Sequence, residues 1–247
     1  MERYQRAFVN ARALWDDLMF HVGNLACDSC DEAKTRVDFL VQLQGYQSYF
    51  ETKMAGLEIM RRNTIEKLKT LERIPEGEYA GEAMDETAAF FEAYLNAAYS
   101  LLEIIAKFTP FFYRQSVSQT PITDYSFVKQ ATFFRNGGSR IDPEYSDYLS
   151  NKLWSWYKVL RDNRDAITHR AAVYIAFRED GSVRFLTPPK REEWLEGVFD
   201  WPTEPLEKYV NQSFENLLNF LEFYLEHYHR RIPDSDFTRR LRKGIGA

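Results

Sequence analysis

Residues 142–169, DPEYSDYLSNKLWSWYKVLRDNRDAITH, decide how the rest of the chain is read. Asp142-Pro143-Glu144 is a helix start. It offers an acceptor for the first free N–H groups, a proline whose fixed φ suits the first turn, and an acid at the positive end of the helix. Leu149, Leu153, Trp156, Tyr157, Leu160 and Ile167 recur at steps of three and four, which predicts an amphipathic helix ending near His169. The same stripe runs through Arg164, so a permanent charge falls on the buried face between Leu160 and Ile167. Left unpaired it would cost on the order of several kcal/mol, so an acid partner, a subunit interface or a solvent-filled site is expected beside it.

Beyond His169, Val173–Leu186 reads as a β-hairpin. A two-residue Asp180-Gly181 loop would pair Phe177 with Arg184. A three-residue loop, Glu179-Asp180-Gly181, pairs Phe177 with Val183 and Ile175 with Phe185, keeps one face apolar, and places Gly181 at the left-handed position of a bulge turn. The second register is the expectation. Pro188-Pro189 and a loop with Trp194 and Trp201 follow. Thr203 is the expected cap of a last helix with Leu206, Val210, Phe214, Leu217, Leu221, Leu225 and Tyr228 on its buried stripe.

Working back from residue 142, Asp85 is the expected cap of a helix reaching Phe108. That helix is apolar nearly all the way round and belongs inside a bundle. Residues 2–24 repeat Tyr4, Phe8, Ala11, Trp15, Leu18 and Val22 at helical spacing. Residues 31–72 form one long helix or two broken near Gly45, stopped at Ile74-Pro75-Glu76-Gly77. The expected fold is therefore mainly α: an antiparallel helical bundle with a β-hairpin inserted before the last helix. Residues 1–78 are read as an N-terminal helical region packing on the core. Residues 79–232 are the bundle, with the hairpin at 173–186, and residues 233–247 are a basic C-terminal tail.

Composition agrees with a packed globule: 45% hydrophobic and 16% aromatic residues, with only 11 Gly and 9 Pro to interrupt helices. No run approaches the ~20 apolar residues of a membrane span, and Met1–Arg6 lead into an amphipathic pattern rather than a signal-peptide block. No membrane association and a cytoplasmic location are expected. Net charge is −5, which disfavours broad affinity for nucleic acid. Residues 230–247 nevertheless carry +4, leaving −9 on residues 1–229. Cys27 and Cys30 form a lone Cys-x-x-Cys without a second pair to complete a zinc set or a βαβ context for redox work. They are expected to be a reduced pair at a helix–helix turn. No cofactor or metal is expected.

The end of the opening stretch, Arg161-Asp162-Asn163-Arg164-Asp165-Ala166-Ile167-Thr168-His169, joins a guanidinium to an imidazole that titrates near neutrality. A helix closing on Arg-x4-His, preceded by a central apolar helix and followed by another bundle helix, resembles the HEPN superfamily. Its hallmark is an Arg, usually followed by a polar residue, with a His four to six positions after the Arg. Here those positions are Arg164, Asp165 and His169. The resemblance covers roughly residues 82–230, with the hairpin as an insertion and residues 1–75 as an added region. It implies a dimer that brings two Arg/His pairs into one cleft. Active members are metal-independent endoribonucleases of toxin–antitoxin, abortive-infection, CRISPR and stress systems; others are silent RNA-binding, antitoxin or scaffold modules.

The implied chemistry suits the residues. The 2′-hydroxyl of RNA attacks its own phosphodiester and leaves a 2′,3′-cyclic phosphate. His169 exchanges the proton with the 2′-hydroxyl or the leaving 5′-oxygen, and Arg164 forks onto the phosphoryl oxygens. Positions 164 and 169 lie ~140° apart on an ideal helix. Either the helix bends before His169 or two copies combine their residues. Asp165 shares a face with both His169 and Arg161, and can orient the imidazole or belong to a plain surface ion ladder. Asn163 and Thr168 are candidate substrate contacts. His21, His227 and His229 are expected at the surface. The alternatives are a silent binding or scaffold module for an RNA or protein partner, and a helical adaptor that uses residues 31–72 as its docking surface.

Overall fold

The computed structural model describes residues 2–74, 80–118, 122, 126–169, 173–177, 182–186 and 204–232. The hairpin tip Glu179-Asp180-Gly181, the stop at residues 75–77, Pro188-Pro189, Trp194, Trp201, Thr203 and the tail 233–247 lie outside the described residues. The protein is mainly helical. In chain order its helices are α1 (Glu2–Gly23), α2 (Cys30–Leu71), α3 (Gly81–Phe108), α4 (Phe127–Asn136), α5 (Pro143–Tyr148), α6 (Trp154–His169) and α7 (Leu206–His229). A 3₁₀ turn, Thr109–Tyr113, follows α3 directly. Among the described residues, no helix is long and apolar enough to cross a membrane.

Helix α2 runs unbroken through Gly45 for 42 residues, about 63 Å at 1.5 Å per residue, so the single-helix alternative holds. Helix α3 begins at Gly81, and Met84 already donates to the Ala80 carbonyl at 2.9 Å. Asp85 is therefore inside the helix rather than its cap, where its charge still suits the N-terminal end. Asp142 caps α5 as expected, accepting from the Tyr145 N–H at 3.0 Å.

The opening stretch is not one uniform helix. A π-helical turn, Leu149–Leu153, separates α5 from α6. The widened turn accommodates an extra residue within the helical run. Leu149, Leu153, Tyr157 and Leu160 are buried, whereas Trp156 is half-buried and Val159 is 47% exposed.

The chain packs as two compact units, each discontinuous in sequence. The first comprises residues 1–52, 101–150 and 218–247, the second residues 53–100 and 151–217. Helices α2, α3 and α7 contribute to both, so the packing does not divide at residue 78. In the first unit, Trp15 stacks on Phe108 at 3.8 Å between centroids and meets the edge of Phe50 at 5.3 Å. Burial of such rings dominates a core of this kind.

In the second unit, β1 (Tyr174–Phe177) pairs antiparallel with β2 (Val183–Leu186). Phe177 faces Val183 and Ile175 faces Phe185, the register read from the sequence. Ile175, Val183 and Phe185 are buried, and Phe185 packs against Phe91 and Tyr209 at 4.7 and 4.9 Å. A two-residue third strand, β3 (Glu204–Pro205), pairs with β2 just before α7. It was not legible in the sequence, because a strand this short shows no alternation.

Candidate functional site

Helix α6 runs as one α-helix from Trp154 through His169. Arg164 and His169 therefore point in different directions along one protomer. Arg164 is partly rather than fully buried, with 27% of its side chain exposed. The buried stripe holds through Tyr157 and Leu160 but not beyond: Ala166 is buried and Ile167 is only half-buried. The Arg164 guanidinium lies over the Tyr99 ring at 4.6 Å, and its Nη1 donates to Asp165 Oδ1 at 3.1 Å. Its Nε is buried without a hydrogen-bond partner among the described residues. Stacking and the carboxylate together hold the fork in one orientation.

The expected ladder Arg161-Asp165-His169 does not form. Asp165 is engaged by Arg164, and Arg161 donates to Asp162 at 3.0 Å. Neighbouring positions win because both pairs can close with short side-chain excursions at the half-exposed surface. His169 is exposed at the end of α6 and makes no hydrogen bond among the described residues. Thr168 is exposed beside it. Asn163 donates to the Tyr209 hydroxyl at 3.1 Å. Tyr209 in turn walls a depression of about 260 Å³ between α6 and α7, shared with Trp156, Val159, Gln212 and Asn216.

A second cluster of ionisable groups escaped the sequence reading. His227 is 3% exposed rather than at the surface. It falls between Tyr224 and Tyr228 on the buried side of α7, a signal present in the spacing. Its Nε2 lies 2.8 Å from Oδ2 of the fully buried Asp142, which also accepts from the Tyr113 hydroxyl at 2.5 Å and from Arg231 at 2.8 Å. Glu144 approaches His227 Nδ1 at 3.2 Å and accepts from Arg230 at 2.8 Å. Burial alone would raise the Asp142 carboxyl; hydrogen bonds from His227, Tyr113 and the Tyr145 N–H outweigh it and hold the carboxyl below its usual range. Tyr113 is pushed up, first by burial and then by donating to Asp142. Both Asp142 oxygens are engaged, so this closed network fastens the start of α5 to the end of α7 and leaves no place for a substrate.

The other two histidines are also held. His21 Nε2 meets the Arg114 carbonyl at 3.2 Å, and His229 Nδ1 lies 3.4 Å from the buried Asp17. His229 borders a groove of about 490 Å³ between α1 and α7, with Arg6, Asn10, Glu222 and Glu226. Cys27 and Cys30 are free thiols in the α1–α2 connection and at the start of α2. Among the described residues, no group of three or more His, Cys, Asp or Glu side chains is placed to hold a metal ion. In comparisons with family models, curated proteins and solved structures, nothing matches this chain.

Proposed function

We propose that the chain is a HEPN-type endoribonuclease of toxin–antitoxin or anti-phage defence, with Arg164 and His169 combined across a homodimer. The observation carrying this reading is an oriented guanidinium and an exposed imidazole without a hydrogen bond among the described residues, on one continuous helix. The helix separates them within a protomer, and two copies related by a two-fold axis would supply the opposing groups that phosphodiester transfer requires. One His169 takes the 2′-hydroxyl proton as that oxygen attacks phosphorus; the other copy's imidazolium gives a proton to the departing 5′-oxygen. Arg164 keeps its second terminal nitrogen for the phosphoryl oxygens while Nη1 rests on Asp165.

The test is incubation of the purified protein with varied RNAs in EDTA, alone and with candidate activators, with analysis of the cut ends. Expected are 2′,3′-cyclic phosphate termini, and rates at least ~100-fold lower for Arg164→Ala and His169→Ala at unchanged circular dichroism. RNA left intact under all these conditions would sink the ribonuclease reading. A silent module that binds RNA or a protein partner is favoured by one observation: Asp165 already neutralises Arg164. RNA binding without cleavage, weakened by Arg164→Met, would select that second reading.

A further inference from the structure

The outward face of α2 carries a pattern that no contact among the described residues explains. Its centre is Val41, Gly45, Ser48, Thr52, Ala55 and Ile59, each exposed. The same row continues through Asp38, Lys34 and Asp31 at one end, and through Arg62, Glu66 and Lys69 at the other. The steps alternate strictly between three and four, the 3.5-residue repeat of a coiled-coil seam. A solvent-facing helix surface is ordinarily charged. Here no exposed position of α2 between Asp38 and Arg62 bears a charge, and Val41 and Ile59 are 63% and 43% exposed. A Cβ placed on Gly45 would meet nothing within 4 Å. A glycine inside a helix gives up stability relative to alanine, so packing within the protomer offers no reason for it.

We infer that this face of α2 is the interface with a second copy of the chain, the two α2 helices lying antiparallel about a two-fold axis near residue 50. In that register each position meets its complement. Ser48 faces Thr52, Gly45 faces Ala55, and Val41 faces Ile59, so the small residues let the backbones approach closely at the centre. Outward from there Asp38 faces Arg62, Lys34 faces Glu66, and Asp31 faces Lys69. The side chains of Asp38, Arg62, Glu66 and Lys69 form no ion pair among the described residues, and the Asp31–Lys34 contact at 3.6 Å is almost fully solvated. A parallel pairing in register would set Asp38 against Asp38 and Arg62 against Arg62. Sliding the antiparallel pair by one heptad would set Lys34 against Ile59 or Glu66 against Val41. The pattern is therefore self-complementary in one arrangement, as a two-fold interface must be. From Asp31 to Lys69 the seam is about 57 Å long, and at a helix width of ~10 Å it buries roughly 1,100 Å² in total, near the lower limit for a specific interface.

The ribonuclease reading also needs a dimer, and the α2 seam is told apart from it by variants in α2 that change mass without touching Arg164 or His169. Sedimentation equilibrium of the full chain is expected to give a dimer. Asp38→Arg and Arg62→Asp each convert two symmetry-related attractions into repulsions and should weaken dimerisation about tenfold or more. The double variant should recover it. An equimolar mixture of the two single variants should also associate, since both contacts are attractive in the mixed pair. Gly45→Leu, at an open position, should block close approach while the circular dichroism stays that of the parent. The inference is overturned if the parent is monomeric at about 100 µM, a concentration that populates even weak self-association. It is equally overturned if the dimer ignores all three single variants, or if the mixture of charge variants stays dissociated.

Discussion

Replacing Asp142 tests whether the buried network, rather than the helix cap alone, secures the first unit. Asp142→Ala deletes the capping bond to Tyr145, worth about 1 kcal/mol. It also leaves the Tyr113 hydroxyl and His227 without their shared acceptor in a buried setting, at about 1–3 kcal/mol for each stranded group. The sum is ~3–7 kcal/mol, whose lower part is the usual cost of removing one partner from a buried ion pair. Asp142→Asn keeps the shape and the cap but removes the charge, so it should lose only about half as much. Urea unfolding at pH 7, followed by both near- and far-ultraviolet circular dichroism, measures the difference at constant slope. If Asp142→Ala stays within about 1 kcal/mol of the parent, or if Asn costs as much as Ala, the network does not hold the unit together as argued.

The same carboxyl sets an acid dependence. Its folded value is lowered from the ordinary 3.8, so its contribution is complete above that value and is lost as pH falls through the lowered one. The stability gap between parent and Asp142→Asn should accordingly close below about pH 4 in acid-titrated unfolding curves. Phe185→Ala, which removes a ring packed on Phe91 and Tyr209, should cost ~3–5 kcal/mol in urea unfolding; a loss under about 1 kcal/mol would mean the hairpin is not part of that core. Tyr94→Phe removes a buried hydroxyl bonded to Ser213 at 2.8 Å and should lower stability by about 1 kcal/mol in the same measurement. Arg164→Met breaks a half-exposed pair between neighbours and should change stability by less than about 1 kcal/mol, so a larger loss would assign Arg164 a structural role.

What was legible in the sequence was whatever strict periodicity or local chemistry encodes. The helical class, the unbroken α2 as one of two readings, the Asp142 cap and the Phe177–Val183 register all follow from spacing and turn chemistry. The π turn was hidden because one inserted residue leaves the apolar content of a helix unchanged and alters only its phase. His227 was misjudged as a surface residue because its partner, Asp142, lies 85 positions away in sequence. Long-range pairing of a histidine cannot be read from its own flanks. Helical spacing offers Asp165 either to the imidazole or to a surface ladder with Arg161, whereas the adjacent Arg164 guanidinium engages it.

The interleaving of the two units has a consequence for how the chain is made. Helix α7 supplies residues to both cores, yet roughly 180 residues are synthesised between the end of α1 and its first turn, which takes ~10–40 s at ordinary rates of translation. Until α7 is made, Trp15 lacks Tyr224 and Phe91 lacks Tyr209. The residues of the second unit are complete at 217 and those of the first only after 218–247, and no cut at a single linker would release either as a separate piece. The nascent chain is thus a client for chaperones by topology, whatever the stability of the finished fold.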